Sequence, residues 1–436
     1  MNIARSESTD QIFIKFLSIF GFILGLLSCM RFISGIPEHL VAIVPLSFFL
    51  VFIFDKEKSL VLAFMAVACA IDKSGNVYSD TPSVIRYFIY IAMIFALCRF
   101  ILFDKIKLFF LVPLVFYIGN SFSDFLFFEV RTFVINFFIY MLFFLSLCLR
   151  MSGRQERYFV VATIAMSLGI IFAECFNILL FSLDYSKDYL SYSPLKFMIC
   201  ALPLFFLSQG RLLLSISFSL LVLFIFNEYG TRIVSLLLIF SVIIFYLPSI
   251  SKMKSILQFF LLLACLLIGV FSIPEDVLVA NRVLNVIYYL QQNSSFYDFL
   301  FVLDPVRLIE HKIFLERDLW SIALGDGLGS ALIDSSNQFG FVTLEDHAFS
   351  EEELNSGVYY RIHDAWLYLG LRFGLIAVFF VNVWLLRFIR AENSLFIGAL
   401  AFICLNSATF SILGLLVTTY LIALLRIKPL EKKILV

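Results

Sequence analysis

Charge is scarce in this chain: of 436 residues only 15% are Asp, Glu, Lys or Arg, and 32 basic side chains meet 32 acidic ones for a formal net charge of zero. With neither a net field nor a basic tail, there is nothing to hold nucleic acid, and that partner class is excluded. Histidine is rarer still, at four residues (His39, His311, His347 and His363). No zinc-type spacing, Walker motif, G-x-S-x-G elbow or ordered calcium loop occurs, so no metal and no cofactor is expected. All eight cysteines (Cys29, Cys69, Cys98, Cys148, Cys175, Cys200, Cys265 and Cys404) fall inside apolar stretches, where Cys behaves as a small hydrophobe. That placement excludes a disulfide framework and says nothing of redox compartment. Internal repeats and low-complexity tracts are also missing.

What the chain has is hydrophobicity. It is 62% apolar with a mean hydropathy of +1.00, against about 45–50% apolar residues in soluble domains. The expected class is an all-α polytopic membrane protein, with membrane lipids as one partner. About 20 apolar residues cross the hydrocarbon core, and such stretches are read at 12–34, 40–54, 59–71, 84–103, 108–122, 132–149, 158–181, 193–208, 212–229, 233–248, 256–273, 365–386, 394–406 and 410–425. The last two are also readable as one long tilted span, but about fourteen spans bring the basic C-terminus back to the starting side. The first apolar run is too long for a signal-peptide core and lacks a small-residue cleavage site, so it is expected to stay attached.

Basic residues set the orientation, because Lys and Arg in short loops stay cytoplasmic. Lys56 and Lys58, Lys105 and Lys107, Arg150, Arg154 and Arg157, Arg211, Lys252 and Lys254, Arg387 and Arg390, then Arg426, Lys428, Lys432 and Lys433 occupy every second connection. Both termini are therefore expected in the cytoplasm and the long polar stretch outside. The expected organisation is eleven spans in 1–273, an extracytoplasmic helical loop subdomain in 274–364, and the closing spans in 365–436.

That loop is the one long polar interruption, and chemistry is sought there. Asp304-Pro305 reads as an N-cap followed by Pro at the first helical position. Val306, Ile309, Ile313 and Trp320 then recur at helical spacing, with Arg307, Glu310, His311 and Arg317 on other faces and an end before Gly325. Gly325-Asp326-Gly327-Leu328-Gly329 lacks the spacing of a dinucleotide fingerprint; it reads as a helix terminator first, and second as a place where backbone approaches a substrate or another part of the loop. The acidic residues Glu345, Asp346 and Glu351 to Glu353 read as a solvated loop. Glu174, with Asn177 one turn on, lies within a span and reads equally as an ion site or a satisfied interior pair.

An external enzyme has no nucleotide pool, so an activated group must arrive on a lipid. A polyprenyl pyrophosphate needs fixed cations near the outer face, and Arg gives planar bidentate recognition of phosphate. The candidates are Arg232, Arg307, Arg317, Arg361 and Arg372; Arg232 also reads as a snorkelling anchor, and Arg372 is placed about two turns inside a span. His363 is the candidate base, with Asp364 beside it to orient the ring.

Gly230-Thr231-Arg232 opening a span, Arg307 on a loop helix, Gly325-x-Gly327-x-Gly329, and His363-Asp364-x-x-Leu367 leading into Leu371-Arg372-Phe373-Gly374 together resemble the O-antigen polymerase and ligase superfamily. The family commonly has Asn where this chain has Asp364, and often an acidic or neutral residue near Arg372. The resemblance implies a Wzy-type polymerase of the bacterial inner membrane with a GT-C-like helical fold and no metal. Its substrates would be undecaprenyl-pyrophosphate-linked oligosaccharides and its expected protein partner a chain-length regulator. It implies His363 as base or hydroxyl-positioning group and Arg232 and Arg307 on the leaving pyrophosphate, with Arg361, Arg372, Arg317, Asp364, Gly325 and Gly327 as further binding residues. The rival readings are a ligase that transfers glycan to lipid A core, a transporter or flippase of lipid-linked glycans, and a membrane scaffold.

Overall fold

In apolar surroundings each backbone N–H and C=O must find its partner within the protein, and a helix achieves this inside one segment. The computed structural model describes residues 2–34, 38–71, 82–102, 111–122, 129–181, 193–228, 232–246, 305–341, 349, 351–360, 362, 364–390, 395–406 and 412–425, and these are mostly helical. In order they form α1 (Asn2–Ser34), α2 (Glu38–Val51), α3 (Lys56–Cys69), α4 (Ser83–Cys98), α5 (Val112–Ser121), α6 (Val130–Cys148), α7 (Gly153–Phe181), α8 (Leu195–Ile199), α9 (Ala201–Ser208), α10 (Leu212–Glu228) and α11 (Arg232–Tyr246). After the polar stretch come α12 (Pro305–Leu315), α13 (Leu319–Leu324), β1 (Leu332–Ile333), α14 (Glu351–Ser356), β2 (Val358–Tyr359), α15 (Ala365–Phe373), α16 (Leu375–Arg390), α17 (Leu395–Leu405) and α18 (Ile412–Leu425).

Among the described residues three stretches, Asp10–Met30, Val130–Cys148 and Gly153–Leu179, are long and apolar enough to cross a membrane, and shorter apolar helices of 10–17 residues accompany them. The chain is a membrane protein by this measure. The span expected over 256–273 lies outside the described residues. Two expected spans are divided: 193–208 breaks at Cys200 between α8 and α9, and 365–386 breaks at Gly374 between α15 and α16. The last two expected spans hold two helices, α17 and α18, packed on each other rather than one.

The interior is apolar, and so is much of the described surface. α3 is buried at every residue from Ser59 to Cys69, and α17 and α18 are buried almost end to end, so these three lie inside. Tyr420 of α18 stacks on Phe64 of α3 at 5.0 Å and meets Phe159 of α7 edge-on at 5.4 Å. The outer helices turn apolar stripes outward: Val84, Tyr87, Phe88, Ile91 and Phe95 share one exposed face of α4, at the spacing of a lipid-facing helix.

Among the described helices α1 packs extensively along α7. Gly21 and Gly25 lie one turn apart on α1, and a Cβ on Gly25 would come within 2.3 Å of the Met166 carbonyl oxygen. A Cβ on Gly169 would come equally close to the Phe22 carbonyl, at 2.3 Å. Small residues at this spacing let backbones touch, which is how helices associate where lipid removes the hydrophobic driving force.

Three of the basic connections meet among the described residues. Arg154, at the start of α7, pairs with Asp10 at 3.2 Å and Glu57 at 3.4 Å, and the Tyr158 hydroxyl donates to Asp10 at 2.9 Å. Arg99, after α4, donates to the Ile53 and Phe54 carbonyls that end the α2–α3 turn. Arg150 N donates to the Phe100 carbonyl, tying the C-terminal ends of α4 and α6 together. Replacing Gly169 with Leu should therefore lower stability by about 1–3 kcal/mol, because backbone and not a flexible side chain must move. Thermal unfolding of the detergent-purified protein measures this, and an unchanged midpoint would contradict the packing.

Candidate functional site

α12 begins at Pro305, as its sequence predicts, and buries Ile309 and Ile313 with Val306 packed beside them. The predicted face does not continue to Trp320, which is 75% exposed, and Glu310, expected on another face, is fully buried. The reason is a break: Asp318 accepts from Trp320 N at 2.9 Å and Ser321 N at 3.1 Å, capping a second helix whose phase is independent of the first. α13 then ends at Gly325, whose φ of 80° with ψ of 159° is an extended positive-φ conformation that glycine alone adopts readily.

A small core forms where Ile309, Ile313 and Phe314 meet Leu332, Phe339, Phe349 and Tyr359. Phe339, Phe349 and Tyr359 pack as a trio with centroids 4.5–5.0 Å apart, and β1 pairs antiparallel with β2, Leu332 opposite Tyr359. Leu367 and Leu371 of α15 belong to the same core. α15 thus packs on this small core through Leu367 and Leu371 and on the apolar helices through Leu369, and Gly374, at φ 81°, is where the chain turns into α16.

The glycine run is where this unit meets the apolar helices. A Cβ on Gly325 would lie 2.6 Å from Gly374 N, and one on Gly374 would lie 2.2 Å from the Ala323 carbonyl oxygen. One on Gly327, at φ 99°, would lie 2.5 Å from Ser121 N at the end of α5. The close approach is thus to α5 and to the α15–α16 turn. Polar groups then fill the junction. Leu328 N donates to Ser121 Oγ at 2.6 Å, Asn136 Nδ2 of α6 donates to the Leu328 carbonyl at 2.7 Å, and the Tyr368 hydroxyl donates to Asn136 Oδ1 at 2.9 Å. Asp326 N donates to the Leu371 carbonyl at 2.8 Å and the Tyr117 hydroxyl to the Phe373 carbonyl at 3.0 Å, so the last carbonyls of α15 are satisfied. On the other side Trp366 Nε1 donates to Asn406 Oδ1, and Asn406 Nδ2 to Asn382 Oδ1 at 2.6 Å. Ser121, Asn136, Asn382 and Asn406 were readable only as polar residues within or beside spans, a signal that marks such positions for attention.

The expected cations separate into groups. Arg372 is fully buried, with Nη2 donating to the Tyr360 carbonyl at 2.9 Å and its guanidinium 4.3 Å from the centre of the Tyr368 ring, so it braces the approach to α15. Its Nε has no hydrogen-bond partner. Arg317 forms an ion pair with Asp326; burial, then repulsion from Arg372, holds its guanidinium down to about 10, still charged at neutral pH. Arg307 is half-buried on α12, and its carbonyl lies 2.7 Å from Nδ1 of His311. Asp364 caps α15, accepting from Trp366 N at 2.7 Å and Leu367 N at 3.2 Å, and its other oxygen faces His311 Nε2 at 4.0 Å. His311 was read only as an outward residue of the loop helix. Arg232 opens α11, which packs on α10, α16 and α17; its side chain lies outside the described residues, as do His363, Arg361, Glu345 and Asp346. Within α7, Glu174 and Asn177 are both buried, and Asn177 Nδ2 donates to the Cys29 carbonyl at 3.3 Å. Among the described residues no three His, Cys, Asp or Glu side chains gather as a metal site would require.

Beneath the junction lies an apolar cavity of about 130 Å³, between α5, α6, α16 and α18, walled by Tyr117, Tyr140, Phe373, Val381, Leu415 and Ile422 among others. Tyr117 and Phe373, which line it, are the same residues whose hydrogen bond closes the α15 end. Comparison of the chain with protein-family models, curated proteins and solved structures gives no match.

Two substitutions test the junction. Gly327→Ala should destabilise by about 1–3 kcal/mol, since a left-handed backbone and a backbone collision combine. Arg372→Ala should remove the hydrogen bond to the Tyr360 carbonyl and speed protease nicking of the polar unit several-fold, whereas Arg307→Ala should not. Equal nicking rates for wild type and Arg372→Ala would refute the bracing role.

Proposed function

We propose that this protein is a membrane glycosyltransferase that joins oligosaccharide repeats carried on a polyprenyl pyrophosphate, in the manner of an O-antigen polymerase. One observation carries the reading: a folded polar unit bearing Arg307 and Asp364 is locked onto helix ends directly above an apolar cavity. A substrate with an isoprenoid tail, an anionic diphosphate and a sugar needs those surroundings in that order. In this reading the protein has about fourteen spans in a bacterial inner membrane, both termini in the cytoplasm and the polar unit outside. The arrangement of α6 supports it, because Asn136 touches the polar unit near one end while Leu149, just past the other, bridges to Ile101 among the basic connections. By helical rise those ends are roughly 20 Å apart.

The reaction is a displacement at the anomeric carbon. The acceptor's terminal sugar hydroxyl attacks, the bond from that carbon to the pyrophosphate oxygen breaks, and the electron pair departs with undecaprenyl pyrophosphate. Arg307 and Arg232 stabilise the charge that grows on the leaving group, usually the larger contribution to such catalysis. Arg361 is a second phosphate partner, while Arg317 and Arg372 hold the frame through Asp326 and Tyr360. His363 positions the hydroxyl or takes its proton. A chain-length regulator is the expected protein partner.

Arg307→Ala and His363→Ala should each reduce polymer by about 100-fold or more with normal membrane abundance. Lipopolysaccharide gels of a complemented deletion strain read this out. A single repeat on core in the deletion supports a polymerase, loss of all glycan from core indicates a ligase, and wild-type ladders from both variants would remove the assigned site.

A further inference from the structure

A second imidazole lies within reach of Asp364, and its hydrogen bonds define what it can do. Nδ1 of His311 lies 2.7 Å from the Arg307 carbonyl oxygen, one helical turn back. A carbonyl can only accept, so this nitrogen carries the proton and Nε2 of the neutral ring is left as a lone pair. That lone pair faces Asp364 Oδ2 at 4.0 Å, with the two side chains 44% and 27% exposed. Asp364 Oδ1 is occupied by the amides of Trp366 and Leu367, which fixes the carboxylate's orientation while Oδ2 stays turned to the ring. In this tautomer both atoms accept and neither donates, so they do not bond each other, and 4.0 Å separates them. A hydroxyl placed beside them reaches Nε2 at ordinary hydrogen-bond distance.

We infer that His311 and Asp364 form a base dyad for a sugar hydroxyl, with His311 Nε2 taking the proton and Asp364 stabilising the imidazolium that results. The inference rests on the proposed glycosyl transfer and assigns the proton-accepting step to the loop helix. As the new bond forms between the acceptor oxygen and the donor's anomeric carbon, the hydroxyl proton passes to Nε2. The anomeric carbon–pyrophosphate bond breaks with its electrons on the leaving group, and the imidazolium returns its proton to water. The Arg307 backbone fixes the tautomer, so one turn of α12 serves both proton acceptor and leaving-group charge.

The test uses full-length protein in detergent with a lipid-pyrophosphate-linked repeat, comparing wild type with His311→Gln, His311→Ala and Asp364→Asn. Gln keeps a polar group of similar reach but cannot accept the proton, and Asn keeps the helix cap while removing the charge. His311→Gln should slow elongation about 100-fold or more at unchanged substrate KM. Asp364→Asn should slow it about 10-fold or more with an unchanged thermal midpoint. Added imidazole should restore several-fold activity to His311→Ala, which a purely structural histidine would not allow. If wild type elongates and His311→Gln is as fast, the dyad is wrong and the transferase reading stands. If wild-type protein does not elongate lipid-linked repeats at all, both fall.

Discussion

Contact of backbone with backbone, at three glycines, is what the arrangement of this protein depends on. Gly325 and Gly374 each end a short helix at a positive φ that only glycine adopts readily, and each packs so closely on the other's segment that a side chain would collide with backbone. Gly327 does the same against the end of α5. Because these contacts involve main chain, they cannot relax by a change of rotamer. The polar unit is consequently seated on the apolar helices by shape, and the hydrogen bonds through Ser121, Asn136 and Tyr117 then satisfy the groups that seating buries.

The same seating explains how the arginines divide. Arg372 and Arg317 lie at the junction, where water is excluded and an unpaired charge is costly. One is held by a backbone carbonyl and an aromatic face, the other by Asp326, and their mutual repulsion is part of the junction's electrostatics. Arg307, His311 and Asp364 lie where the unit is still open to solvent. Groups that must meet a substrate need that openness, and groups that must hold a frame need the reverse. In the proposed transferase the buried pair therefore sets geometry and the open group meets the reacting sugars.

Local, periodic features were legible in the sequence, and long-range ones were not. The described apolar stretches became helices, Pro305 opened α12 and Gly325 closed α13, because each of these signals acts within a few residues. Trp320 was misplaced because Asp318 resets the helical phase, an event that hydrophobic spacing averages over. Gly374 was absorbed into a span for a related reason: one glycine barely alters the hydropathy of its window, yet it turns the chain. What Gly327 touches was beyond reach, since Ser121 is remote in sequence and belongs to a helix with no distinguishing pattern. The small-residue contact between α1 and α7 was visible as Gly21-x-x-x-Gly25 and would have predicted that pair.

Placing Asp364 as the cap of α15 ties its chemistry to its architecture. A capping carboxylate is fixed by two amides and thereby loses the freedom to follow a partner. For a group meant only to form a salt bridge this is a disadvantage, because 4.0 Å to His311 is long and the ring is half exposed. For a group meant to stabilise a charge that appears only during reaction it is an advantage, since no reorganisation is needed when the imidazolium forms. An Asn at this position would cap equally well but carry no charge, so in the proposed polymerase the aspartate contributes electrostatics and not fold. A ring on α12, whose tautomer the Arg307 carbonyl already sets, is the one the geometry places opposite its free oxygen.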